Sequence, residues 1–345
     1  FTNDLSVGAI STLRTADDYH NYVVGVDSKY RLDESNTLSG QILTSSTEYP
    51  TDLYQSFCYG ESDSDCDKAK DIDCVFGNCQ FSEQVHRTKF DKKISDQALK
   101  ATFEHNSEYW NVTAEHENIG KNFRADLGYM PRADYQSNKV LLDRLFYGEE
   151  DTFWQEAKVS GLWQIKHNEK GELLDKTLAT SFTIDGPMLS TFDAMFTYAD
   201  KVGLREDESN LAIDGNTTRF TEKSATFYAS IQPTPELYLE TELIVGDKID
   251  YRNNRLGDYR ELYTNISYNF TRHLEAELYF TNSNLDTKEG NVYQANLTEL
   301  RVSYQFDVHS YLKLNLVYSD IDRNPDNNPY INVSQRNKNL QLYFP

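Results

Sequence analysis

Apolar and polar side chains alternate along the second half of the chain. From Leu262 to Phe270 every second residue is apolar or threonine, and the residues between them are mostly polar. The same alternation follows Ala157, Leu237, Leu274, Leu300 and Leu312. Successive side chains of a β-strand point to opposite faces, so this period of two predicts strands with one apolar and one polar face.

The alternating segments are long. Each runs for about ten to fifteen residues, against ~5–6 for strands of soluble proteins, and a tilted strand needs ~9–11 residues to cross a bilayer. In a membrane barrel the apolar face meets lipid and the polar face lines the interior. In a soluble sandwich the apolar face packs against a second sheet, so alternation alone fits both architectures.

The connections between the segments favour the barrel. The sequence predicts short connections in alternation with long ones. The short connections are Asp185–Pro187, Gln232–Glu236, Thr271–His273 and Asp307–Ser310; the long ones are Lys201–Thr217, Asp247–Gly257, Asn282–Asn291 and Ser319–Val333. This pattern is typical of outer-membrane barrels, which have short periplasmic turns and long extracellular loops. We predict an all-β, transmembrane, antiparallel up-and-down β-barrel of about 16 strands, within 14–18, in the bacterial outer membrane.

The first half is less regular. Strands are predicted near Leu5–Leu13, Tyr22–Leu32, Thr37–Thr44, Gln97–Glu104, Tyr109–His116, Asn122–Tyr129 and Thr152–Lys166. Arg132–Tyr147 fits a strand, a short helix or a segment folded into the interior. We expect one barrel domain over residues 1–345 with a cysteine-containing loop at about 47–96. Counting backwards from the long loops places this loop on the cell surface only if Arg132–Tyr147 is not a full strand.

Four cysteines lie in that polar loop: Cys58, Cys66, Cys74 and Cys79. Their irregular spacing lacks the CxxC pairs of a zinc site. Clustered cysteines in an exposed loop predict two disulfides and an oxidising compartment, with three pairings open. Free thiols are the alternative.

The charge balance excludes some partners. The formal net charge is −21, which disfavours binding to nucleic acid or docking onto anionic lipid. The 24 Tyr and 18 Phe argue against a disordered acidic chain. No apolar run approaches the ~20 residues of a membrane helix. The expected partners are outer-membrane lipid and a partner protein or an N-terminal sugar-binding domain.

No catalytic motif is found in the sequence. It contains no nucleophile elbow, P-loop or HExxH. We therefore expect no enzyme and no cofactor, with a surface hydrolase or lipid-modifying barrel as the alternative.

Two groups of acidic residues are candidate sites. Asp320, Asp322, Asn324 and Asp326 are spaced like calcium ligands, although Pro325 replaces the glycine of an EF-hand loop and the distal Glu is missing; a solvated acidic loop is the alternative. The second group would project into the interior: Glu240, Glu242, Glu261, Glu275, Glu277 and Glu299. They predict either a cation-favouring interior or a network paired with Lys158, Arg301 and Lys313.

Three stretches carry a family resemblance: the segment LSVGAISTLRTADDYHNYVVGVDSKYRLDESNTLSGQILTSS, the segment IGKNFRADLGYMPRADY and the segment DGPMLSTFDAMFTYADKVG. Together they resemble the C-terminal outer-membrane barrel, of unknown function, of bacterial proteins that carry an N-terminal family-9-type carbohydrate-binding domain. The resemblance implies a Gram-negative outer membrane and a saccharide-related role. It also implies that this chain is a fragment of a longer protein.

The sequence therefore predicts a non-enzymatic barrel that serves as an anchor, a channel or a translocation and assembly scaffold, linked to saccharide binding or uptake. A general diffusion porin with a cation-favouring acidic interior is the alternative.

Overall fold

The computed structural model describes residues 4–50, 93–128, 130, 133–205, 217–250, 253–327 and 335–343. These residues form β-strands and turns and contain no helix, so no helix among them could span a membrane. The strands are β1 (Leu5–Ala16), β2 (Tyr19–Arg31), β3 (Asn36–Glu48), β4 (Ile94–Asn106), β5 (Trp110–Ile119), β6 (Tyr135–Tyr147), β7 (Glu156–His167), β8 (Leu173–Gly186), β9 (Ser190–Arg205), β10 (Thr217–Thr234), β11 (Leu237–Asp250), β12 (Arg255–Asn269), β13 (Leu274–Thr287), β14 (Gly290–Gln305), β15 (Tyr311–Arg323) and β16 (Gln335–Tyr343).

Each strand is hydrogen-bonded to the next one along the chain, in the order β1 to β16. The strands run up and down, antiparallel. The described residues thus contain sixteen strands, and the predicted all-β class is confirmed. Two compact units are distinguished: unit 1 is Phe1–Leu142, Leu162–Leu178 and Asp200–Phe220, and unit 2 is Asp143–Gly161, Ala179–Ala199 and Thr221–Pro345.

In unit 1 the period of two is visible in the burial of side chains. Val24 of β2 is 57% exposed, whereas its neighbour Val23 is 5% exposed. Val24 pairs with Thr44 of β3, and Val23 pairs with Ser45, which is also buried. Tyr22, Val26 and Ile42 lie on the same face as Val24 and are also exposed, so this part of unit 1 has one exposed apolar face and one face with buried side chains.

In unit 2 the register aligns the two faces across five strands. One row joins Leu239, Ile266, Leu278, Leu300 and Leu316, and the adjacent row joins Glu240, Asn265, Tyr279, Glu299 and Val317. We call the side of the first row the apolar face and the side of the second row the polar face. A register slip of one residue would exchange the two faces, so the hydrophobic pattern fixes the pairing.

Two predicted long connections are wrong. The connection predicted at Asp247–Gly257 is mostly strand, because β11 extends to Asp250 and β12 begins at Arg255. Between Asn282 and Asn291 the chain continues as β13 to Thr287 and turns at residues 288–289, and Gly290 has a φ of 121°. The polar side chains of this stretch, which had suggested a loop, form hydrogen bonds across the ladder instead. Asn291 donates to Asn284 over 2.7 Å and to Asp286 over 2.9 Å.

The predicted strand Asn122–Tyr129 is also wrong. The described residues of this stretch form turns and coil, and the following strand is β6, which resolves Arg132–Tyr147 as mainly strand. One predicted strand, Asn122–Tyr129, is absent and one strand, β6, is added, so the number of strands between the cysteine-containing loop and the later long loops is unchanged. The β3–β4 connection therefore leaves at the same end of the strands as the β9–β10 and β15–β16 connections, although β6 is a full strand. Its four cysteines lie outside the described residues.

We predict opposite accessibility for epitope tags inserted into two described turns. Residues 288–289 and 235–236 lie at opposite strand ends, since three strands separate them. A tag between Lys288 and Glu289 should be labelled by antibody on intact cells, whereas a tag between Pro235 and Glu236 should need permeabilised cells. The reverse result would invert the orientation, and labelling of both on intact cells would contradict the membrane-spanning arrangement.

Candidate functional site

The polar face of unit 2 carries all six predicted glutamates. Glu240 and Glu242 lie on β11, and their partners Asn265 and Tyr263 share their face. The register places Glu261, Glu275, Glu277 and Glu299 on the same side of β12, β13 and β14. A sequence separation of 59 residues between Glu240 and Glu299 is thus reduced to three strand spacings.

Arg301 partly neutralises this face. Its Nε donates to Glu299 over 2.7 Å, and its Nη1 lies 4.0 Å from Glu277. The guanidinium also lies 4.7 Å from the centre of the Tyr279 ring, where the cation meets the electron-rich ring face. The Arg301 side chain is 48% exposed, so this charged cluster is accessible to water and does not form a dry core.

The other two predicted cations, Lys158 and Lys313, neutralise the glutamates less than Arg301 does. Lys313 lies over the ring of Tyr311, and within the described residues no ion pair joins Lys158 or Lys313 to a glutamate. Glu240 instead accepts hydrogen bonds from the Tyr238 hydroxyl and the Asn265 amide, at 3.4 and 3.5 Å. Neutral donors leave the carboxylate charge uncompensated. The described part of this face therefore keeps a net negative charge.

In unit 1 the face of β2 that carries Asn21 and Val23 is covered by the chain that follows β5. We call residues 120–128 the covering segment. Its Phe123 is 3% exposed and packs with Val23 of β2 and Ala98 of β4. The segment begins where the Gly120 amide donates to the Gln97 carbonyl, and the Asn122 amide then donates to Asp96.

Asn21 anchors the covering segment to β2 and β3. It is fully buried, and its Nδ2 donates to Thr47 over 2.7 Å and to the Arg124 carbonyl over 3.1 Å. Its Oδ1 accepts the Asp126 amide over 3.1 Å. One side chain thus satisfies two backbone groups of a segment that makes no sheet ladder of its own.

Two tyrosine hydroxyls bind the other end of the segment. Tyr19 and Tyr49 donate to the two carboxylate oxygens of Asp126 over 2.7 and 2.9 Å, and their rings stack at 5.7 Å. Burial, followed by the charge of Asp126, raises the pKa of the Tyr49 hydroxyl well above its ordinary value. Tyr49 therefore remains a neutral donor at physiological pH.

This cluster was not predicted from the sequence, because the residues that bind the covering segment lie far from it along the chain. Residues 122–127 also imitate a strand, since Phe123, Ala125 and Leu127 alternate with polar residues. In the structure Phe123 packs against the sheet while the backbone is bound by side chains.

The four candidate calcium ligands are divided between a strand and the turn that follows it. Asp320 and Asp322 belong to β15, and the turn that follows places the Asp326 amide against the Asn324 side chain. Within the described residues no cluster of three or more His, Cys, Asp or Glu is arranged to hold a metal. The nearby turn instead binds Arg255, which donates to the carbonyl of Asn327 over 2.5 Å.

No protein-family model and no curated protein matches this chain. Among solved structures, the siderophore receptor PirA from Acinetobacter baumannii is similar, with a TM-score of 0.50, 10% identity, and coverage of 93% of this chain and 53% of that chain. A variant of the ferric enterobactin receptor PfeA from Pseudomonas aeruginosa has a TM-score of 0.46 and 9% identity, with coverage of 92% of this chain and 53% of that chain. OmpT, an outer membrane protein of Vibrio cholerae, has a TM-score of 0.43 and 9% identity, with coverage of 99% of this chain and 95% of that chain.

The likeness to PirA concerns the fold alone, at this identity. Together with the up-and-down order of the strands, it shows a β-barrel of the outer-membrane type. The chain spans about half the length of the receptors it matches.

We predict that Asn21→Leu releases the covering segment. The variant leaves buried backbone groups of Arg124 and Asp126 without their partner, and each such group costs ~1–3 kcal/mol. Trypsin cleavage after Lys121 and Arg124 in the detergent-folded protein should accelerate by about tenfold or more, since 1.4 kcal/mol is a factor of ten. Asn118→Leu, an exposed position on β5, serves as the control. Equal cleavage of both variants would contradict the anchoring role.

Proposed function

We propose that the chain is a non-enzymatic outer-membrane channel whose acidic interior favours cations over anions. The observation that carries the proposal is the uncompensated negative charge on the polar face of unit 2. Among the described residues, Glu240, Glu242, Glu261 and Glu275 form no ion pair, and one cation, Arg301, is shared by Glu277 and Glu299. In a barrel the polar face lines the interior, and carboxylates along a pore attract cations.

The partial exposure of the charged side chains supports passage of water and small solutes. The Glu277 side chain is 31% exposed and its partner Arg301 is 48% exposed. A barrel filled by paired side chains would bury such groups. In unit 1 the covering segment packs on the face of β2 that carries Asn21 and Val23, and on our proposal it narrows the path there.

Saccharide uptake is the second candidate function. Tyr238, Tyr263 and Tyr279 lie on the polar face beside Glu240, Asn265 and Arg301. Phenol rings offer flat apolar surfaces, and the neighbouring carboxylate, amide and guanidinium groups bond hydroxyls. The PirA and PfeA likeness supports only the fold, so we propose no siderophore as substrate.

We predict that charge substitutions on the polar face change the ion preference in opposite directions. In planar bilayers under a KCl gradient, Glu242→Gln should lower the preference for potassium and Arg301→Gln should raise it. One charge ~8 Å from a permeating ion is worth about 0.5 kcal/mol in water, or about a twofold change in permeability ratio.

Asp258→Asn is the matched control, because it removes the same charge from the opposite face of β12. It should leave the reversal potential nearly unchanged. An anion-selective wild type, or equal shifts for Glu242→Gln and Asp258→Asn, would contradict the proposal. A folded, inserted protein without conductance would leave only the anchor function.

A further inference from the structure

The apolar face of unit 2 contains a groove of about 670 Å³ near the short connection between β8 and β9. Its floor is a row of small side chains on neighbouring strands, Ala229, Thr241 and Thr264. Larger side chains stand around the floor: Phe192, Ile231, Leu239 and Ile266. The small row beside these larger side chains makes the depression.

The two hydroxyl groups of the floor, those of Thr241 and Thr264, already have partners within the sheet. The Thr241 hydroxyl donates to the Tyr263 carbonyl over 3.0 Å and lies 3.4 Å from the Thr264 hydroxyl. Glu240, whose backbone borders the groove, extends its carboxylate to the polar face, towards Tyr238 and Asn265. A peptide or sugar would leave its own polar groups unsatisfied here, which is costly, whereas a hydrocarbon chain has none to satisfy.

The turn at the edge of the groove keeps apolar side chains in an unfavourable backbone conformation. Met188 and Leu189 have φ of 56° and 50°, and the Ser190 amide donates to the Pro187 carbonyl. Such a turn favours Asn-Gly, because a bulky L-residue is strained at positive φ. Leu189 is nevertheless 76% exposed, and Phe153, which lines the groove, is 77% exposed. Strain retained at exposed apolar residues indicates a role in contact with an apolar environment.

We propose that this groove is a binding site for one acyl chain of a phospholipid in the periplasmic leaflet, with the Met188–Leu189 turn and Phe153 at its mouth. The inference rests on the proposed function in one respect, that the barrel resides in the outer membrane with its short turns at the periplasmic side. The groove is continuous with the apolar face, so its occupant comes from the hydrocarbon that this face meets. Its volume lies within the ~300–1,000 Å³ of small-molecule sites.

The test compares phospholipid retained by the folded protein after extraction from vesicles of phosphatidylethanolamine and phosphatidylglycerol into mild detergent, measured by native mass spectrometry. Wild type should retain one phospholipid per chain. Ala229→Leu fills the floor and should reduce retention by roughly tenfold. Ala276→Leu is the matched control, since it adds the same side chain elsewhere on the apolar face and should leave retention unchanged.

The double variant Met188→Asn, Leu189→Gly keeps the proposal falsifiable if Ala229→Leu fails to fold. It relaxes the turn, so it should fold at least as well as wild type while retaining less phospholipid. Equal retention by wild type and both test variants overturns the groove assignment. A lipid-free oligomer that Ala229→Leu dissociates overturns it in favour of a contact between copies of this chain. A conducting wild type without bound phospholipid overturns the groove alone, whereas a wild type that fails to insert overturns the proposed function too.

Discussion

Backbone amide and carbonyl groups inside a bilayer have no water to bond, so each must find a partner within the protein. A ladder in which every strand bonds the next satisfies this constraint. The order β1 to β16, without a crossover, gives each strand its sequence neighbour as a partner. Once the backbone is committed to this ladder, side chains can only point to one face or the other. Both functional proposals follow from that division, with charge on one face and a hydrocarbon groove on the other.

Register carries the division from strand to strand. The row that contains Leu278 and the row that contains Tyr279 are separated by one residue, yet they meet different surroundings across five strands. This explains how the polar face can hold Glu277, Glu299 and Arg301 in partial contact with water, while Glu240, which borders the groove, directs its carboxylate to the polar face. It also explains why hydroxyls on the apolar face, such as that of Thr241, bond back to the ladder.

The sequence predicted what depends on neighbouring residues. The strands of the second half and the common face of Glu240 and Glu242 follow directly from the period of two, which is local. The covering segment did not follow, because its alternation of Phe123, Ala125 and Leu127 copies a strand while its partners lie far away in sequence. Tyr19 and Tyr49 precede Asp126 by 107 and 77 residues.

The β13–β14 turn shows a different limit. Asn284, Asp286 and Asn291 have loop-like composition, but their side chains bond one another across the two strands. Composition reports which residues need polar partners and does not report where the partners are. The groove was equally invisible, since Ala229, Thr241 and Thr264 come from three strands and meet only through the register.

Spin-label accessibility along β12 tests most directly whether the two faces meet lipid and water. Single nitroxide labels at consecutive positions from Leu262 to Ser267, in protein reconstituted into vesicles, would be probed with oxygen and with a water-soluble nickel complex. We expect alternation with a period of two: labels at Leu262, Thr264 and Ile266 should relax with oxygen, and labels at Tyr263, Asn265 and Ser267 should relax with nickel. Nickel accessibility at all six positions would contradict a membrane-spanning barrel.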